Sequence, residues 1–162
     1  MKLQYTTSNS IRGAFIYSAG DTIAALMLNE FSMYRLIGMI LVGATIYAFE
    51  IPNYFNWIEQ KTARLKGTAL TLTKTTFAIL YFNPLWIARH LICIKIFSGN
   101  YEQINVHLLQ VAGWSFLVNI PISAIANFFI QNKISLKWRF FASAIFSALM
   151  AIYYALSETI FK

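Results

Sequence analysis

Charge is what this chain has least of. Asp and Glu together number 6 in 162 residues, and charges of both signs make up 12%, about half the share usual in soluble domains. So few charges cannot clothe a water-soluble surface, and the balance is taken up by a hydrophobic content of 58% and a mean hydropathy of +0.56. Cys93 is the only cysteine, which excludes an intramolecular disulfide and leaves the redox compartment unread. No group of His, Cys, Asp or Glu has the spacing of a metal site, no nucleotide-binding motif is present, and no nucleophile stands with a base and an orienting partner. These absences argue against a metal centre, an energy-driven pump and an enzyme. The polar start followed by an apolar run that Asp21 interrupts lacks the form of a cleavable secretion signal.

What is present is apolar length. A helix needs about 20 residues to cross the hydrocarbon layer, and five runs qualify: residues 11–28, 36–57, 75–97, 106–130 and 140–161. The expected fold is therefore all-α, a single polytopic transmembrane bundle over residues 1–162 with five spans, four being the alternative. Short polar linkers favour antiparallel neighbours. The prolines Pro52, Pro84 and Pro121 are expected to kink the second, third and fourth spans. The Thr-rich stretch of Thr68, Thr71, Thr73, Thr75 and Thr76 would approach the third span along the interface.

The net charge of +7 could suggest a polyanion, but no basic patch with interleaved aromatics appears, so nucleic acid is excluded. Orientation accounts for it. With five spans, Lys2, Arg12, Lys61, Arg64, Lys66, Lys133, Lys137 and Arg139 share one side, against Arg35, Lys95 and Lys162 on the other, eight to three. The positive-inside rule places the first group in the cytoplasm or its topological equivalent. If the first segment lay on the surface, the ratio would fall to six to five.

Ionisable residues within spans mark function by default. Counted from the basic side, Asp21, Glu50 and Lys74 fall at similar depths, about 12–14 Å in, and Lys74 is expected to neutralise one or both carboxylates. A cluster of this kind either fixes helix register or takes part in passing solute or protons. Arg89 is expected to reach for headgroups, and His90 and His107 carry little signal alone. On the fourth span Ser115, Asn119, Ser123 and Asn127 recur every four residues, one mostly neutral polar line suited to small polar solutes without strong charge selection. Small residues at the same spacing, Gly13, Tyr17, Asp21 and Ala25 with Gly20 and Ala24 in the first span, and Ser143, Ser147, Ala151 and Ala155 in the last, point to close helix packing.

Several of these features, taken in order, resemble the Mpv-seventeen and peroxisomal membrane protein two family. Gly20-Asp21 with Glu30 looks like its first-helix motif, Arg35 with Gly43 has its second-helix spacing, and Pro121, Asn127 and Phe128 with Arg139 resemble its later segment. The chain departs from the pattern at Ala48-Phe49, Pro52, Tyr54-Phe55, Ile120 and Ala124. The resemblance implies a cofactor-free pore for small solutes in a mitochondrial or peroxisomal membrane, while residue usage equally suits a bacterial inner membrane. The stretch from Asn127-Phe128 to Lys133 and Trp138 also resembles GtrA-like proteins, which implies the alternative of a noncatalytic scaffold or accessory subunit in lipid-linked sugar transfer. The expected partners are membrane lipids, a small polar solute and further copies of the chain.

Overall fold

Thr6 starts the first helix by accepting the Asn9 N–H on its side chain, an N-cap that satisfies one of the orphan donors. From there the computed structural model, which describes residues 3–160 apart from the side chains of 151 and 154–160, is helical with short connections. The order is α1 (Thr7–Met27), α2 (Met33–Val42), a π turn (Gly43–Tyr47), α3 (Ala48–Thr62), α4 (Gly67–Tyr81), α5 (Pro84–Phe97), a 3-10 turn (Tyr101–Gln103), α6 (Val106–Lys133) and α7 (Leu136–Ile160). No strand occurs among the described residues. Lys2 and Lys162 of the charge count, and the side chains of Ala151 and Ala155 of the last-span stripe, lie outside the described part.

The segments α2 to α3 form one rod, Met33–Thr62, of 30 residues; α4 with α5 spans Gly67–Phe97 and α6 spans Val106–Lys133. These three are long and apolar enough to cross a membrane. Glycine or asparagine closes two turns at the end away from the N-terminus. Asn29 (φ 56) ends α1 with Glu30 N–H returning to the Ala25 carbonyl, and Gly99 (φ 74) ends α5 with Asn100 N–H returning to Lys95.

The prolines act differently from one another. Pro84 does not kink a continuous helix; it starts a new one. Asn83 is extended, as the residue before proline prefers, and its side-chain oxygen accepts from the Leu85 and Trp86 N–H groups at 2.9 and 3.1 Å. Proline at the first helical position loses no bond there. Pro52 lies inside α3, and the irregularity appears upstream as the π turn; α6 runs through Pro121 without interruption. The Thr-rich stretch lies in α4 and packs along α6, where the Asn132 amide donates to Thr75 Oγ1 at 3.1 Å.

Close helix approach is made by the small residues. A Cβ on Gly13 would overlap the Gly43 carbonyl oxygen, one on Gly43 would overlap that of Gly13, and one on Gly20 would overlap Ala148 of α7. α1 thus nests between the π turn and α7, and the core it helps close includes Tyr17, Tyr47, Ile51, Phe55, Ile87 and Leu91.

Candidate functional site

Each carboxylate in the body of the bundle has its own cation, at three levels. Nearest the far end, away from the N-terminus, Arg35 at the start of α2 donates from Nε and Nη2 to both oxygens of Asp21 at 2.9 and 2.8 Å. Side-chain exposure is 2% and 1%, so the pair is fully enclosed; Glu30 adds a longer contact at 3.4 Å. At mid-length, Arg89 of α5 donates to both oxygens of Glu50 in α3 at 2.9 and 2.7 Å, and the Tyr81 hydroxyl donates to the same carboxylate at 3.0 Å. At the basic end, Glu59 accepts from Lys74 at 2.5 Å and from Arg139 of α7.

The expected meeting of Asp21, Glu50 and Lys74 is therefore corrected. Lys74 faces Glu59, not Asp21 or Glu50. The three depths start from unequal origins: α4 begins at Gly67, which leaves Lys74 two turns from the basic end, whereas Glu50 lies about three turns from Thr62 and Asp21 about four turns from Thr7. Lys74 is at the level of Glu59, one turn before the end of α3. Asp21 lies in the last two turns of α1, opposite the entry of α2 across a tight hairpin. Arg89 is likewise held by Glu50 and not extended toward headgroups. Arg35 was read as a linker charge; the sign of its role was its place just beyond the turn that follows Asp21.

The polar line of α6 is one face of the helix and it is buried. Ser115, Asn119, Ser123 and Asn127 are all enclosed. Asn119 donates to Ser123 Oγ at 2.8 Å, Asn127 to the Ser123 carbonyl at 2.9 Å, and Tyr153 of α7 to the Ser115 carbonyl at 3.2 Å. The line continues one step further, to Gln131, which has 0% exposure and whose amide nitrogen and oxygen both lack a partner among the described residues. Sequence reasoning ended the fourth span at residue 130 and so missed it, although the four-residue spacing pointed there. Buried Ser143 and Ser147 of the neighbouring α7 add further hydroxyls to the interior.

An aromatic cluster stands behind these groups. His90 is buried, shares a hydrogen bond with the Tyr47 hydroxyl through Nδ1 at 3.0 Å, and stacks on Trp86 with ring centroids 5.7 Å apart. Its Nε2 has no partner among the described residues. The π turn places Tyr47 here, against Tyr17 and Trp86, and such turns are frequent at functional sites. His107 is exposed and shares a long hydrogen bond with Gln110. No group of three metal-ligating side chains occurs among the described residues.

Two of the recesses with polar linings lie at the basic end and at mid-length. One of about 410 Å³ at the basic end is bounded by Asn9, Arg12, Asn56 and Lys137. The other, about 440 Å³, opens beside the break between α4 and α5 and is lined by Glu50, Tyr54, Tyr81, Trp86 and Arg89. Compared with known proteins, the chain matches no family model, no curated protein and no solved structure.

Proposed function

We propose that this is a multi-pass membrane protein that lets small polar solutes cross passively along the polar face of α6. The observation that carries the reading is the unbroken line Ser115, Asn119, Ser123, Asn127 and Gln131 through the interior of the bundle. It ends in an amide whose nitrogen and oxygen make no hydrogen bond among the described residues. Leaving such a group dry costs on the order of a few kcal/mol, a cost explained if water or solute occupies that position during transport. The line is closed in this conformation, so passage requires α6 and α7 to part, and the surrounding aromatic and aliphatic side chains set a narrow bore.

All five rods cross the bilayer in this reading. α1 presents Phe15 and Ile23 outward, α7 presents Ile145 and Leu149, and α6 presents Leu117, Ile122 and Ile125, as lipid contact requires. Lys61, Arg64, Lys66, Lys133 and Lys137 are exposed at the basic end, whereas Arg35 and Lys95 at the opposite end are buried. The exposed cations among the described residues thus gather at the basic end, which favours that end on the cytoplasmic or equivalent side. Asp21, Glu50 and Lys74 border the path by locking neighbouring helices through their separate partners. The resemblance to the Mpv-seventeen and peroxisomal membrane protein two family points the same way, and the Asp21–Arg35 bond gives two residues of that motif a common task.

Swelling of liposomes holding the purified protein, with neutral solutes of graded size, tests the proposal. Size-limited swelling that Asn119→Leu abolishes, in protein that remains folded, is the expected result. No swelling by folded wild-type protein would sink it and favour the noncatalytic scaffold reading, which draws on the complete pairing of Asp21, Glu50 and Glu59 as a means of fixing helix register.

A further inference from the structure

The recess at the α4/α5 break stands apart from the α6 face and presents an unusual surface for its position. Asn83 lies about midway along Gly67–Phe97, so in a chain that spans the bilayer the recess opens at the level of hydrocarbon. Leu80 and Leu85, both strongly exposed, flank its mouth. Inside it Glu50 and Arg89 remain 35% and 38% exposed. A guanidinium carries five N–H donors. Glu50 takes two of them, Nε is buried without a partner, and the two remaining Nη hydrogens meet no other acceptor among the described residues.

Charge within the recess is already balanced by the Glu50–Arg89 pair, so a charged ligand would gain little there. Glu50 already accepts from Arg89 twice and from Tyr81, which leaves about one of its acceptor positions, so the larger spare capacity in the recess is that of the Arg89 Nη donors. Lipid chains offer no acceptor at this depth, and unmet donors in hydrocarbon are costly. The walls are flat: Tyr54 and Tyr81 stack with centroids 4.4 Å apart, and Trp86 closes the other side. The volume of about 440 Å³ lies within the range of small-molecule sites.

We propose that this recess binds an uncharged, membrane-soluble molecule that enters from the lipid and presents a carbonyl or hydroxyl oxygen to Arg89, with its ring against Tyr54, Tyr81 and Trp86. The site depends on Gly67–Phe97 crossing the bilayer but not on transport along α6. Glu50 serves as the positioning residue that holds the guanidinium plane, and Tyr81 in turn holds Glu50.

The test uses tritiated decylubiquinone and the purified full-length protein in detergent micelles. Saturable binding is expected, displaced by unlabelled decylubiquinone but not by decylbenzene, which has the tail and ring without the acceptor. Arg89→Lys retains the charge opposite Glu50 but loses the fork of donors, and should weaken binding about tenfold. Leu85→Trp, at the exposed mouth, should block entry without disturbing the fold, while Asn119→Leu should bind as wild type even if it abolishes solute flux. Equal displacement by decylbenzene, binding unchanged in both recess variants, or absence of saturable binding would each overturn the proposal. So would a loss of particle mass in Leu85→Trp, which would show a second chain covering the recess.

Discussion

Arg35 and Asp21 form the most enclosed ion pair in the described structure, and what holds them there is mutual. Each is nearly without exposure, and two parallel hydrogen bonds satisfy one edge of the guanidinium. Breaking such a pair leaves one charge buried and unmatched, which costs about 3–5 kcal/mol. Arg35→Leu or Asp21→Leu alone should therefore lower thermal stability in detergent by that order. The double replacement should recover much of the loss, and additive losses in that double-mutant cycle would show that the two side chains are not coupled. Gln131 supplies the opposite case. Gln131→Leu removes two unmet hydrogen-bonding atoms, so the variant is expected to be more stable by about 1–3 kcal/mol while losing solute flux. A variant both less stable and fully conducting would contradict the role assigned to that amide. Arg35 stands out in the sequence only through the family resemblance and not as the partner of Asp21, and Gln131 falls one position beyond the predicted end of its helix.

At the level of whole elements, apolar length revealed the helices well and their ends poorly. The predicted runs 36–57 and 106–130 each lie within a helical rod, 11–28 ends one residue beyond α1, 75–97 straddles the break before Pro84, and the described part of the last run lies in α7. The rods are longer because polar residues such as those of 58–62 and 131–133 continue the helix beyond the apolar part. Because α3 runs on to Thr62, counting from Glu59 placed Glu50 about a turn too shallow, and the carboxylate at the level of Lys74 is Glu59. Proline chemistry was legible only in kind. A kink and a break differ by whether the preceding residue can cap, and Asn83 can. Asn83→Ala should cost about 1 kcal/mol and loosen the recess beside it, measured as faster amide exchange in the first turn of α5. The glycine contact between α1 and the π turn is tighter: Gly43→Ala places a methyl against the Gly13 carbonyl and should cost about 1–3 kcal/mol. A melting temperature unchanged from wild type would mean that the π turn relaxes to admit it.

On the scale of the whole molecule, sidedness and the number of crossings are linked through α1. Three rods have the length and apolar character to span by themselves; α1 is shorter and carries the buried Asp21, whose charge Arg35 neutralises. If α1 crosses, Ser8 and Glu30 lie on opposite faces of the membrane; if it lies along the surface they share one. Both are exposed, so each can be replaced singly by cysteine in a Cys93→Ala background and treated with an impermeant maleimide in sealed vesicles of known orientation. The expected pattern is labelling of Glu30→Cys and Glu102→Cys from one side, and of Ser8→Cys, Lys66→Cys and Lys133→Cys from the other. The exposed charges support it, since Glu30 and Glu102 face outward at the far end while the outward cations gather at the basic end. Labelling of Ser8→Cys and Glu30→Cys from the same side would reduce the chain to four crossings. It would also leave α1 as an amphipathic cover, with Asp21 and Arg35 paired at the membrane surface and no longer within it. The pair is enclosed by the protein itself, at 2% and 1% exposure, so the cost of breaking it should stay at about 3–5 kcal/mol in either topology, and the labelling pattern decides between the two on its own.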